Sequence, residues 1–387
     1  MLRAVLWVWS IAFAALILSA APWSIAHHGG DWQVFVAAGS LVGSHALLDP
    51  PQAWQAFFYL PGAAWAMVPF VAVPLAASFV VNIVVMLGCA ATAGVVASRT
   101  YALPRATSVA TFVLWPPVVY AAGIIGQNAP FGLLLAQLSI AGMATRSVAL
   151  TAVPIGFLLY KPTYALPFIG LLVLRGRLRE LGVVGAIALG WFLLGVPAAG
   201  GDWAWPAAWL RLIARFASGD LGVNGAFAIG LPGQLARAGL GSAVTIAIVV
   251  LAAAAVAVAL RRATAVEAGS AACLAGLALS PHAWAYDAVL ALPMIGFTAA
   301  ALAEPYRTRL LFGLALVAPL LFLSPLLRFD PLTVIVVGGT CAWLVVRLLP
   351  GAAGFVDAPA FRRYSRELRR SEYRLEETAR PLRRARV

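Results

Sequence analysis

The chain has 387 residues, of which 63% are hydrophobic and only 11% are Asp, Glu, Lys or Arg. A soluble domain carries about 25% charge, so this composition excludes a soluble enzyme domain, a disordered chain and a coiled coil, and asks for repeated apolar spans. The runs stay apolar for about twenty residues, which excludes an outer-membrane barrel with its alternating strands, and the net charge of +13, set between the runs and in the tail, fits anionic membrane lipids rather than nucleic acid.

The first apolar run, residues 4–26, is long for a signal peptide and right for a retained first helix. Residues 27–63 form an outer loop rich in Trp, Phe and Tyr. Residues 64–75, which contain Pro69 and Pro74, read as a segment dipping into the interface ahead of the next span. Spans are expected at 76–98, 107–124, 129–145, 147–160, 163–175 and 181–196. The two between 147 and 175 are near or below the ~17 residues needed to cross, with Pro154 and Pro167 inside them. Such breaks are tolerated where protein or a cavity covers the freed backbone groups.

A second outer loop covers 197–241. In it Trp203, Trp205 and Trp209 precede Leu210-Arg211-Leu212-Ile213-Ala214-Arg215-Phe216, the pattern of an interfacial amphipathic helix. Further spans are expected at 242–260, 266–280, 285–303, 308–325 and 332–348. The sum is an all-α polytopic transmembrane bundle of about 12 spans with outer interfacial helices. It divides into a membrane-embedded domain at 1–350 and a basic cytoplasmic tail at 351–387. Cys89, Cys273 and Cys341 sit in apolar stretches without paired spacing, as small core residues.

The basic residues test this topology. With the N-terminus inside, the inner segments hold Arg3, Arg99, Arg105, Arg146, Arg175, Arg177, Arg179, Arg261, Arg262, Arg307, Arg309 and Arg347 before the tail. The outer segments hold only Lys161, Arg211, Arg215, Arg237 and Arg328. That asymmetry obeys the positive-inside rule and puts both termini in the cytoplasm.

Polar residues are expensive in a membrane, and here five clusters fall at the outer ends of spans. They are His27-His28-Gly29-Gly30-Asp31-Trp32, Phe57-Phe58-Tyr59-Leu60-Pro61, Gly126-Gln127-Asn128-Ala129-Pro130, Tyr160-Lys161-Pro162-Thr163-Tyr164 and Ser280-Pro281-His282-Ala283-Trp284-Ala285-Tyr286-Asp287. A bundle can gather them into one polar cavity beneath an aromatic roof. Asp31 is the sharpest candidate. Partial desolvation raises a carboxylate's pKa toward the value a general base needs; the competing reading is an Asx turn or helix cap. His27 and His28 are adjacent, and adjacent side chains rarely converge on a metal. Lys161, the only lysine, can meet a phosphate. His282 can donate to phosphate oxygens or orient a carboxylate, or be a structural histidine. Gln127 and Asn128 can bond sugar hydroxyls or cap the following helix. Tyr59 and Tyr286 can stack on a sugar or join the interfacial belt. Asp287 can accept from His282 or Lys161, or bridge helices.

In this order the residues resemble glycosyltransferase family 87, within the multispanning C-type superfamily. The resemblance runs over residues 1–348 and is carried by Gly30-Asp31-Trp32, Phe58-Tyr59-Leu60-Pro61, Gly126-Gln127-Asn128, Lys161-Pro162 and the stretch from Ser280 to Asp287. Two departures stand out. Leu60 replaces the first Pro of the usual pair, and Gly222-Val223-Asn224-Gly225-Ala226 only loosely matches the expected Asn-Gln-Ser stretch. The resemblance implies a C-type architecture and inverting transfer of a sugar, mannose first, from a polyprenyl-phosphate donor to a lipid or glycan acceptor on the outer face of the cytoplasmic membrane. It matches Asp31 to the base; beside it Lys161 and His282 are the candidates to stabilise the phosphate as its charge develops, with Arg211 or Arg215 assisting. It places Tyr59, Gln127, Asn128, Tyr286 and Asp287 around the donor sugar. No cofactor is expected, because phosphate is already a good leaving group; some C-type relatives use a divalent cation. The rival reading is a transporter or flippase of lipid-linked sugars, which predicts internal repeats that the sequence does not display.

Overall fold

A computed structural model describes residues 2–26, 30–51, 55–224, 227–302, 306–317 and 331–348. The described residues are helical throughout apart from turns and one isolated antiparallel bridge between Ala228 and Trp284. The helices are α1 (Leu2–Ser19), α2 (Ala21–Ala26), α3 (Asp31–Leu41), α4 (Leu75–Thr100), α5 (Arg105–Leu114), α6 (Pro116–Tyr120), α7 (Ala129–Thr145), α8 (Val148–Leu158) and α9 (Pro162–Leu174). They continue with α10 (Leu178–Ala198), α11 (Trp205–Asn224), α12 (Leu231–Arg237), α13 (Ser242–Arg262), α14 (Ala265–Leu279), α15 (Leu292–Ala301), α16 (Tyr306–Val317) and α17 (Gly339–Leu348). The basic tail at 351–387 lies outside the described residues, as do His27, His28 and Arg328.

Among the described residues three helices are long and apolar enough to cross a bilayer: α4, α10 and α13. A fourth candidate is α5 joined to Pro116–Ile125, bent by 52°. The remaining apolar helices are shorter, 10–17 residues. At 1.5 Å per residue, α8 and α9 reach only about 16 and 20 Å, against a hydrocarbon layer of about 30 Å. The count of about twelve spans therefore rests on the apolar runs of the sequence and not on these helix lengths. Backbone chemistry cuts the runs. Trp115, which precedes Pro116, is forced out of the helical region (ψ 121°) and opens the bend between α5 and α6. The stretch at 285–301 divides into a 3₁₀ turn at Ala285–Ala291 and α15, and residues 61–70 form a 3₁₀ helix opened by Pro61 rather than a span of their own.

Helix α14 is the centre of the bundle. In its sequence, AVEAGSAACLAGLAL, ten of the fifteen residues are Ala, Gly, Ser or Cys, and twelve are buried. Small side chains let α7, α9 and α15 approach its backbone, and close van der Waals packing is what holds helices together where lipid removes the hydrophobic drive. Helices α9 and α14 run in opposite directions. At one end Arg175, just past α9, donates to the carbonyls of Leu260 (2.9 Å), Ala263 (2.7 Å) and Thr264 (3.3 Å) beside the start of α14. At the other end Lys161, just before α9, reaches Asp287 beyond the end of α14. The first end also holds buried Glu267, which accepts from Trp343 at 3.0 Å and pairs with Arg347. Arginines thus gather at one end of this helix pair, and the candidate site occupies the other.

Candidate functional site

Each of the described clusters arrives at the site on its own element. Gly30, with φ 50°, makes the turn that starts α3, so Asp31 is the first residue of that helix. A carboxylate is favoured in a first helical turn. The five residues before Gly126 form a π-turn, Ala121–Ile125, which Gly126 ends in the left-handed region (φ 73°). A Cβ on Gly126 would lie 2.5 Å from the Cβ of Trp32. Glycine is thus required there twice, for its backbone angle and for the contact that seats α3 on the π-turn. Helix α3 was not anticipated inside the loop expected at 27–63. Trp32 fixes it by donating to Ser78 of α4 at 2.9 Å.

The side chains then form a relay. The Gln127 amide Nε2 donates to Asp31 Oδ2, and Tyr59 donates its hydroxyl to Gln127 Oε1 at 2.7 Å. The Tyr59 ring stacks on Tyr160 at 5.7 Å with only 3° between planes. It also lies 5.8 Å from the Lys161 ammonium, which sits 4.4 Å from the Tyr164 ring and 5.0 Å from that of Tyr286. Lys161 Nζ donates to Asp287 Oδ1 at 2.6 Å, and the Tyr164 hydroxyl donates to the same oxygen. Asp287 Oδ2 accepts the backbone N–H of Trp284 at 2.9 Å. Both members of the ion pair are buried. Of the alternatives open for Asp287, the Lys161 partner is formed. The phenol of Tyr59 is held well above its ordinary pKa, first by burial and then by nearby Tyr160, Asp287 and Asp31, so it remains a donor.

His282 joins from the side. Its Nε2 accepts the indole N–H of Trp284 at 2.9 Å, and its ring meets Phe58 edge to face at 6.3 Å. Phe58 in turn contacts Phe216 of α11 at 5.9 Å. That is an aromatic cover, supplied by Phe58 of the segment before residue 61 and by Phe216 of α11. Beneath it a pocket between Thr163, Ser280, His282 and Asp287 has room for about one water molecule. The Thr163 hydroxyl there is buried without a partner.

Asn128 stands at the start of α7 without capping it by its side chain; the Tyr160 hydroxyl donates to its carbonyl at 3.3 Å and to Oδ1 at 3.4 Å. Arg215 is exposed and paired with Asp49 at 3.1 Å. Arg211, one turn earlier, is exposed, and among the described residues no hydrogen bond, ion pair or ring contact joins it to the relay. The structure therefore brings Asp31, Tyr59, Gln127, Lys161, Tyr286 and Asp287 into one chain of contacts, with Asn128 and His282 beside it, Arg215 at the rim and Arg211 apart. Reading by clusters left Tyr160, Tyr164 and Trp284 without roles. The spacing of Lys161 and Tyr164 was an available signal, since residues three apart meet on a helix face. Among the described residues no three His, Cys, Asp or Glu side chains converge as metal ligands would.

The model of glycosyltransferase family 87 matches residues 57–281, more than half of the chain. That stretch includes Tyr59, Gln127, Asn128, Lys161, Arg211 and Arg215, while Asp31, His282, Tyr286 and Asp287 fall outside it. No curated protein and no solved structure matches the chain.

Proposed function

Starting from the fact that the chain belongs to glycosyltransferase family 87, we propose that it transfers a sugar, mannose first among the candidates, from a polyprenyl-phosphate donor to a lipid or glycan acceptor at the outer face of the cytoplasmic membrane. The observation that carries this reading is the relay from Asp31 through Gln127 and Tyr59 to the Lys161–Asp287 pair. It puts a carboxylate and a buried cation at opposite ends of one connected surface.

In this mechanism Asp31 takes the proton of an acceptor hydroxyl as its oxygen attacks the anomeric carbon. The bond from that carbon to the phosphate oxygen breaks, its electron pair leaves with the polyprenyl phosphate, and the configuration inverts. Gln127 holds the Asp31 carboxylate through one amide end and Tyr59 through the other, so its first task is orientation. Lys161 shares its charge with Asp287. It therefore acts on the leaving phosphate as the positive end of a fixed dipole, in a site where water is scarce. His282 adds a donor to the same phosphate, and Arg215 draws the donor headgroup to the rim. Tyr286 and Asn128 flank the sugar. The chemistry asks for no metal, and inner-face arginines engage anionic lipids.

Membrane vesicles supplied with polyprenyl-phosphate mannose, and in parallel with other polyprenyl-phosphate sugars, test the reading. Transfer is expected to vanish in Asp31→Asn. Passage of the intact lipid-linked sugar across the bilayer, unaffected by Asp31→Asn, would establish the flippase reading in its place.

A further inference from the structure

We propose that Trp284 is a positioning residue that sets the tautomer of His282, so that the imidazole meets the leaving phosphate as a neutral donor through Nδ1–H. The inference deepens the transferase reading and rests on it.

An indole N–H can only donate. Its 2.9 Å bond to His282 Nε2 therefore requires a lone pair on Nε2 and leaves the ring proton on Nδ1. An imidazolium carries protons on both nitrogens and would break the bond. Trp284 is buried, 5% exposed as a residue, so little water can replace the histidine as acceptor. A buried donor left without an acceptor is costly. The two rings meet edge to face, centroids 5.1 Å apart at 80°, which also fixes the plane of the imidazole.

Trp284 is itself held from several sides. Its backbone N–H donates to Asp287 Oδ2, and its carbonyl accepts from the Asp287 N–H at 2.8 Å. The neighbouring Ala283 carbonyl accepts from Ile229 at 2.9 Å, and Trp284 bridges to Ala228. One residue thereby joins the histidine to the Lys161–Asp287 pair. This gives the stretch from Ser280 to Asp287 an internal logic. Asp287 orders the Trp284 backbone, the Trp284 side chain orders His282, and His282 presents one defined donor. A neutral imidazole adds no charge beside the Lys161–Asp287 dipole and still stabilises negative charge as it develops on the phosphate oxygen.

Two measurements on the full-length protein decide it. In protein labelled with ¹⁵N-histidine, the difference between wild type and His282→Ala isolates the His282 signals. They are expected to show a protonated Nδ1 and an unprotonated Nε2, and to shift in Trp284→Phe, which keeps a ring but lacks the N–H. A proton on Nε2, or a signal that Trp284→Phe does not move, would overturn the proposal. In the vesicle assay Trp284→Phe is expected to lower turnover about tenfold, the scale of one lost hydrogen bond, at unchanged KM for the donor. The double variant with His282→Ala is expected to be no slower than His282→Ala alone, because Trp284 acts through His282. Losses that multiply would assign Trp284 a merely structural part and sink the idea. Absence of any transfer by the wild-type protein would instead remove the transferase reading, while the nitrogen spectra would still decide the tautomer.

Discussion

Lys161 and Asp287, 126 positions apart, meet at 2.6 Å where the start of α9 faces the segment beyond α14. Their side chains are 9% and 1% exposed. Removing one partner of such a pair strands a buried charge and costs about 3–5 kcal/mol, whereas replacing both by apolar groups of similar size is far milder. Lys161→Met and Asp287→Leu are each expected to lower the melting temperature in detergent substantially, and the double variant to recover part of the loss, since the Tyr164 hydroxyl and the Trp284 N–H still lack their acceptor. Transfer activity should not return with stability, because the double variant has no charge to place beside the phosphate. Recovery of both together would reduce the pair to a structural strut.

Tyr59 offers a test of the relay itself. Tyr59→Phe keeps the stack on Tyr160 and deletes only the hydroxyl that donates to Gln127. Gln127 is then free to turn, and Asp31 loses its fixed orientation. A fall in turnover of about tenfold is expected, again the scale of one hydrogen bond. The phenol also shapes the alkaline limit. Its pKa in the fold is raised above the ordinary value of about 10. Above pH ~10 the unfolded chain therefore loses this proton while the folded chain keeps it, and stability falls as pH rises. Tyr59→Phe should flatten that alkaline decline, measured as melting temperature against pH between 9 and 11.

Much of this site was legible because a membrane makes polar residues conspicuous. Tyr59, Gln127, Lys161 and Asp287 stood out against apolar surroundings. What the sequence withheld were the pairings. Nothing local joins Asp31 to Gln127, 96 positions away, or tells whether Asp287 takes Lys161 or His282. The first follows from how α3 seats on the π-turn through Trp32 and Gly126, the second from how α9 packs against α14. Arg211 and Arg215 looked equivalent, yet only Arg215 lies beside Phe216, whose ring meets the cover over His282. Span counting met a different limit. Hydropathy registers an apolar run at 107–124 but is blind to the restriction that Pro116 puts on Trp115, and so to the bend.

Gly126 joins the fold to the chemistry. Gly126→Ala places a Cβ against Trp32 and Phe79 and imposes the left-handed backbone on a residue that resists it. A destabilisation of about 1–3 kcal/mol is expected from the overpacking, with a marked loss of transfer as Gln127 is displaced. Gly88→Ala is the matched control: it lies in the middle of α4 with nothing within 4 Å of the added carbon. There alanine should be neutral or slightly stabilising, since it is the better helix former. Thermal melts and vesicle transfer on both variants separate local crowding from a general intolerance of glycine replacement.

Arg215 lies at the rim, where its exposed pair with Asp49 contributes at most about 1 kcal/mol to stability. Neither Arg215→Ala nor Asp49→Asn should shift the melting temperature measurably. Their kinetics should diverge. If Arg215 draws the donor phosphate, Arg215→Ala raises the KM for donor several-fold at little cost in kcat, because the contact is made before the anomeric bond breaks. Asp49→Asn releases the guanidinium from its competitor and should leave KM unchanged or lower it. Raising the salt concentration should weaken donor binding in wild type and Asp49→Asn, and much less in Arg215→Ala, as screening acts on exposed charges. Equal KM values for wild type and Arg215→Ala across that salt series would take Arg215 out of donor binding and leave the phosphate to Lys161 and His282.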